Sequence, residues 1–409
     1  MNSLFLRSWK LTVSFVFLAA LAACVTPTAA PASPTRTPMP AAATNTSAPP
    51  TAAETPIPAS PTPAASLTIT PFLTPVAYPV GPTNFPEDVD PLTGMRVSDT
   101  AILDRRPLAI KVSNFPLSAR QYISGLNSVD MLWEFYTEFG NTRFIAMFYG
   151  QDSQHVGPIR SARILDVRIV PLYDAILVHV QAAAIVNQVM SNAGISQINE
   201  FPASCPAICR DSSVPEQVNS AFGNTVALTE FGRRVGLETG RPNLDGMLFD
   251  IQVPNGAIAS VGARIHFTSI TIAEWKWDAS SGRYLRFSDD GSAMAATVPL
   301  IDHSTKAQVA TDNVIVLFAP VSRYPLVNPA SGEVWDVNLG GSGRAVFFRD
   351  GMAVDGTWRS QGAGKPLQFF MPDGNMYPLH PGTTYLAMIS ERGTGSNTST
   401  TEWAFYDFH

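Results

Sequence analysis

Fifteen prolines fall between Val25 and Pro82, and the only charged residues in that stretch are Arg36 and Glu54. Closely spaced prolines remove backbone donors and hold the chain extended, and the Thr, Ala and Ser between them offer no apolar periodicity from which to build a core. Residues 24–84 are therefore expected to form a semi-rigid tether, and any globular fold has to be made from the residues beyond it. Leu67-Thr68-Ile69-Thr70 alternates like a strand, but four residues among prolines are too few to make one.

The segment before the tether explains why a tether is useful. Met1 to Ala23 has a short basic start (Arg7, Lys10), an apolar run from Leu11 to Leu21 and a small-residue ending, the layout of a secretory signal. The apolar run is shorter than the roughly 20 residues a membrane-spanning helix needs. Leu21-Ala22-Ala23-Cys24 resembles a bacterial lipobox, which implies removal of residues 1–23 and lipidation of Cys24; ordinary cleavage leaving a free Cys24 is the alternative. Each buried acyl CH2 adds about 0.8 kcal/mol of membrane affinity, so the membrane is the first expected partner and the location is extracytoplasmic and lipid-anchored. Cys205 and Cys209, the remaining cysteines, are spaced as a tight disulfide, a metal half-site or a reactive dithiol. Outside the cytoplasm a disulfide closing a small loop is the default.

The 409 residues leave enough chain for two ordinary domains. A net charge of -6 and no long basic run give no electrostatic footprint for nucleic acid. Arg106 to Phe115 reads as the first strand, with Pro107 at its start, where a missing donor is tolerated. Met131 to Tyr136 and Arg143 to Tyr149 read as two antiparallel strands of a hairpin. Ile164 to Tyr173 does not decide between helix and strand, Ala175 to Val180 is a buried-type strand, and Ala182 to Met190 has helical spacing. Pro215 to Val235 hints at a further helix, weakened by Thr225 and Val226. Beyond a boundary placed near Asp250, short β-favouring runs separated by Gly, Asp, Asn and Ser point to a sandwich or curled barrel. The expected fold is α+β: an N-terminal mixed α/β domain over 85–249, then a mostly β C-terminal domain over 250–409.

Chemistry concentrates between Val129 and Val180. Arg143, Arg160 and Arg163 are able to converge on a phosphate or carboxylate, which guanidinium groups bind bidentately. Glu134 and Glu138 lie just upstream and are candidates to face them, either orienting the arginines around a ligand or pairing with them in an internal network. Ser161 with His155 or His179 and Asp166 or Asp174 supplies the residue types of a nucleophile, base and orienter, but no G-x-S-x-G elbow surrounds the serine. His179, inside Ala175 to Val180, is more often a satisfied core histidine than a ligand. The histidines are scattered and no H-E-x-x-H cluster occurs, so neither a metal nor a cofactor is expected. Trp275, Trp277, Trp335, Trp358 and Tyr377 would stack sugars if several were exposed together.

Taken together, RPLAIKVSNF (Arg106–Phe115), GLNSVDMLWEFYTEFGNTRFIAMF (Gly125–Phe148), VGPIRSAR (Val156–Arg163), TDNVIVLF (Thr311–Phe318), GSGRAVFFRDGMAVDGTW (Gly341–Trp358) and LHPGTTYLAMI (Leu379–Ile389) resemble the YerB-like family of two-domain bacterial lipoproteins. The resemblance covers most of Arg106 to Ile389 and implies a surface lipoprotein without an assigned reaction. Relatives tend to carry a glycine-rich turn after the histidine of the Ala175 to Val180 strand, where this chain has His179-Val180-Gln181-Ala182-Ala183. A glycine turn admits close backbone approach to a ligand. The expected function is thus binding of an envelope component, an anionic ligand or a protein partner through Glu134, Arg143, Arg160, Ser161, Arg163 and His179. An envelope hydrolase or transferase using the same pocket, and a purely structural role for these residues, are the alternatives.

Overall fold

The structure is a computed structural model that describes residues 76–292, 296–325, 333–399 and 401–407. The secretory signal, Cys24 and the tether up to residue 75 lie outside them. In chain order the first strands are β1 (Leu108–Ser113), β2 (Met131–Glu138), β3 (Asn141–Phe148), β4 (Ile176–His179) and β5 (Gln197–Asn199). β1 is buried along its whole length, which is why its sequence is an apolar run and not an alternating one. It pairs antiparallel with β3 and parallel with β4, and β2 and β3 form the hairpin the sequence predicts.

These strands make half of one eleven-stranded sheet. The other half comes from the C-terminal region, and the two meet where β2 runs parallel to the strand Thr384–Ser390, in register from Met131↔Thr384 to Phe135↔Met388. The strands Asn313–Ala319, Ser342–Arg349, Met352–Arg359 and Gln368–Phe370 continue the sheet outward. A seven-stranded sheet, centred on Gly262–His266, Ile272–Asp278 and Arg283–Asp289, packs on one face of the large one; Trp275 of the small sheet lies 4.7 Å from Tyr385 of the large. The result is α+β: mixed α/β around residues 92–235 and mostly β around 263–406, the latter a sandwich.

Period-two alternation separates two cores. Ala109, Trp133, Ile145 and Leu177 face one side; Ile110, Leu132, Phe144 and Val178 face the small sheet. The first side is covered by α2 (Asp166–Ile169) and α3 (Ala184–Asn192); α1 (Leu117–Arg120) precedes them in the chain. Ile164 to Tyr173, undecided in the sequence, becomes the single turn of α2 and then a 3-10 turn at Val170–Tyr173. The weak helix signal at Thr225 resolves into α4 (Thr225–Arg234), because Asn224 caps it by accepting from the Ala227 N–H at 3.1 Å. The lead-in also docks: Val80 and Phe249 exchange two backbone bonds of 2.9 Å. Asp90 of the lead-in is buried beside Asp130; burial and then the Asp130 charge push the Asp90 carboxyl up, and burial pushes Asp130 up to about 6.

A fully buried polar cluster crosses between the sheets. Glu134 on β2, fully buried, accepts from Arg286 Nη1 at 2.7 Å, Tyr385 OH at 2.7 Å, Thr142 Oγ1 at 2.7 Å and Asn114 Nδ2 at 3.0 Å. Burial works against the Arg286 charge, but Glu134 outweighs it and holds the guanidinium pKa above its usual value. Removing one partner leaves an unpaired buried charge. Glu134→Gln is therefore expected to cost about 3–5 kcal/mol in urea unfolding, while the double variant Glu134→Leu/Arg286→Met recovers most of that loss.

Candidate functional site

The segment Val156–Arg163 does not hang off the sheet as a free loop. The carbonyl of Pro158 accepts from Ser113 N at 2.9 Å, and Arg160 N donates to the Lys111 carbonyl at 2.8 Å. On the other side Val180 N donates to Arg160 O and Ala162 N to Gln181 O, both at 3.2 Å. The segment is thus wedged between the carboxyl ends of the parallel strands β1 and β4, the crevice where open α/β sheets present their ligand sites.

Strand parity decides which charges meet there. In the hairpin register Phe135 faces Arg143 and Glu134 faces Phe144, so Glu134 and Arg143 point to opposite faces of the sheet. Glu134 is consequently removed from the arginine cluster and belongs to Arg286, a correction to the expectation that it gathers with Arg143, Arg160 and Arg163. Glu138 would share its face but for a bulge: the register jumps between Tyr136 and Glu138, which pairs with Asn141. That extra residue reverses parity and turns Glu138 to the arginines.

On that side Glu138 receives two guanidinium bonds from Arg163, one of them from Nε at 2.6 Å, and stands 3.5 Å from Arg143 Nη2. Arg143 and Arg163 also donate to the Ser161 carbonyl at 2.8 and 3.2 Å. Arg160 donates to Val218 O at 3.0 Å and Asn219 Oδ1 at 2.9 Å. A fourth cation completes the cluster: Lys111, fully buried, bonds Asp166 Oδ1 at 2.6 Å and lies 4.0 Å above the Phe135 ring. Among the described residues, Lys111, Arg143, Arg160 and Arg163 thus share Glu138 and Asp166, an excess of two positive charges. Burial lowers the Arg143 pKa to about 9, with Arg163 adding to the effect, and lowers Lys111 to about 8. Burial and, after it, Arg163 lower Arg160 as well. Burial raises Glu138, but its Arg163 bonds and the surrounding cations outweigh that and hold it low.

A cleft of about 360 Å³ opens beside this cluster, lined among others by Glu138, Ser161, Arg163, Gln181, Ala182, Ala183 and Val186. It borders the N-terminus of α3, which no side chain caps, and Glu333 stands on its far wall, paired with Arg323 at 3.3 Å. The turn after β4 has Gln181 at φ 57, a left-handed position that glycine adopts most readily. His179 itself is buried, its Nδ1 donating to Gln181 O at 2.7 Å and its Nε2 2.8 Å from Gln197 Oε1. It braces the turn and does not reach Ser161 by a hydrogen bond; among the described residues no histidine or carboxylate bonds the Ser161 hydroxyl. Trp275, Trp335, Trp358 and Tyr377 are all buried, so the sugar-stacking platform considered from the sequence is not assembled. Lys111 and Arg286 carry no recognisable motif; their one signal was a charged residue inside an apolar strand.

Comparison with known proteins adds the family. Residues 92–235 match the N-terminal domain, and 263–386 the C-terminal domain, of the protein family of unknown function DUF3048. The chain is 25% identical over 313 residues to the Bacillus subtilis (strain 168) protein named "Putative lipoprotein YerB", covering 75% of this chain and 87% of that one. The crystal structure of YerB protein from Bacillus subtilis superposes with a TM-score of 0.62 at 23% identity, covering 74% of this chain and 96% of that one, a likeness of fold.

Glu138 is the carboxylate that the cluster can least spare. Glu138→Gln leaves four cations against Asp166 alone and is expected to lower stability by about 2–4 kcal/mol. Added sulfate is expected to restore part of the loss of melting temperature, in excess of its effect on the unaltered chain.

Proposed function

The chain belongs to the YerB-like DUF3048 family, and from that premise we propose that it is a lipid-anchored extracytoplasmic protein that binds an anionic envelope component in the cleft beside Arg160, Ser161 and Arg163. The observation that carries this reading is the excess of two positive charges in a half-buried cluster. Such an excess is costly by itself and is offset by an anion placed where the cluster meets solvent. The uncapped start of α3 adds backbone N–H groups and a favourable dipole on the same cleft. Anchoring is inferred from Cys24 in its lipobox-like setting; similarity to a protein named a lipoprotein supports an extracytoplasmic, membrane-associated location in general terms.

A second reading rests on a specific observation. Each of the three arginines already donates to internal acceptors, Ser161 O, Ala162 O, Val218 O, Asn219 Oδ1 or Glu138, and in this reading they only staple the hairpin to the wedge segment.

Calorimetric titration of the full-length chain with a glycerol-phosphate polymer and with a polycarboxylate separates the two. Binding that weakens with salt is expected for at least one of them. Ala183→Glu, an exposed position on the cleft, is expected to weaken that binding about tenfold, the scale of one misplaced charge, at an unchanged melting temperature. Failure of both polymers to bind removes the anion reading and leaves the staple. For the anchor, intact-mass measurement of membrane-extracted protein is expected to give a chain beginning at acylated Cys24; an unmodified Cys24 overturns it.

A further inference from the structure

On the opposite side of the wedge segment from the basic cleft, two short strands, β6 (Ile208–Arg210) and β7 (Ala221–Gly223), carry the Cys205–Cys209 disulfide. Three groups are brought to one face there by pairing alone. Cys209 stands opposite Phe222 in the antiparallel register, and Asp211, two residues on from Cys209, continues the same face, its N–H bonding Ser220 O at 2.7 Å. The His155 imidazole stacks on the Phe222 ring, centroids 4.0 Å apart and planes within 11°. Its Nε2 lies 3.6 Å from Asp211 Oδ2. Cys209, His155, Asp211 and Phe222 line a single open cleft of about 320 Å³. Cys205 is exposed, and Cys209 is half-buried at the cleft wall.

This is not how a purely structural clip is usually placed. The bridge spans only four positions of sequence, Cys205 is exposed, and a histidine within 3.6 Å of a carboxylate shares the cleft that Cys209 lines. We propose that Cys205–Cys209 is a thiol-exchange site, at which an incoming thiol of another exported protein or of a small molecule opens the disulfide with His155 carrying the proton.

The step balances without an outside oxidant or reductant beyond the incoming thiols. His155, neutral, takes the proton of the incoming thiol. The resulting thiolate attacks the exposed Cys205 Sγ, forming a new S–S bond as the Cys205–Cys209 bond breaks, and its electron pair leaves on Cys209 Sγ. The imidazolium, held by Asp211, returns the proton to the Cys209 thiolate. A second thiol attacking the mixed disulfide then releases an oxidised product and leaves both cysteines reduced, so that two thiols are oxidised for each protein disulfide reduced. Burial lowers the His155 pKa while Asp211 raises it; the neighbouring His303 lowers it and Asp302 raises it, with the net shift downward. The imidazole is therefore a neutral base near pH 7.

The full-length chain, incubated with reduced glutathione or with a reduced, unfolded cysteine-containing protein, provides the test, quenched in acid and read by peptide mass at Cys205 and Cys209 so that Cys24 does not contribute. Opening near neutral pH with the mixed disulfide on Cys205 is the expected result. Reaction with glutathione only identifies a small thiol as the substrate source, and reaction with the unfolded protein identifies a protein thiol. His155→Ala is expected to slow opening roughly a hundredfold near pH 7, the scale of a lost proton carrier, and to move the pH–rate profile to higher pH. Asp211→Asn is expected to give a smaller loss in the same direction. Both sites are partly exposed, and melting temperatures are expected to stay unchanged. A disulfide that neither thiol opens, an adduct found on Cys209, or equal rates in the His155→Ala chain overturns the proposal.

Discussion

The Glu134–Arg286 pair holds the two sheets of this protein in one arrangement. Both side chains are buried, they stand 152 residues apart in sequence, and they meet at 2.7 Å between the faces of two sheets whose shared core is largely apolar. Apolar surfaces tolerate sliding, because one methyl contact replaces another at little cost, whereas a buried ion pair whose carboxylate is hydrogen-bonded on both oxygens is held to a narrow range of positions. Tyr385, Thr142 and Asn114 occupy the remaining acceptor capacity of Glu134, so the carboxylate also fixes the strand Thr384–Ser390 against β2. That junction is where the N-terminal and C-terminal halves become one sheet.

The basic cluster obeys the opposite logic. Its charges are not balanced internally, and burial, with the neighbouring arginines adding to it, lowers the Arg143 and Lys111 pKa values. A network that served stability alone would gain by losing one of the four cations. Its position between the carboxyl ends of β1 and β4 places the cluster beside the cleft that Ser161 and Arg163 line, the feature on which the proposed anion binding rests. The disulfide cleft formed by β6 and β7 lies on the other flank of the same wedge segment, since Val156 pairs with Gly223 while Arg160 pairs with Lys111.

Much of the architecture was legible in the sequence because it depends on near neighbours. The apolar run of β1, the hairpin of β2 and β3 and the periodicity of α3 are properties of a few consecutive residues. So is the cap at Asn224, although Thr225 and Val226 obscured it. The site was legible in composition and not in pairing. Arg143, Arg160, Ser161 and Arg163 do gather, yet Glu134 does not join them, since alternation along β2 and β3 sends it to the other face. Glu138 does join them, through a bulge that no residue type between Tyr136 and Glu138 announces. His179 is a brace for the turn at Gln181, and of the tryptophans that suggested a glycan platform Trp275, Trp335 and Trp358 are core while Trp277 is half-buried.

By itself, then, the sequence showed a signal-like start, a lipobox-like setting for Cys24, a proline-rich stretch, the α+β class and the close spacing of Cys205 and Cys209, all of which are written within a few residues of one another. Tertiary structure alone decided that the two halves share a sheet, that Glu134 belongs to Arg286, that Lys111 and Asp166 complete the basic cluster, and that His155 and Asp211 stand beside the disulfide. The reason is register. Which face a side chain occupies is local, but the partner it finds there depends on pairing between strands far apart in the chain, and a single bulge is enough to reverse it.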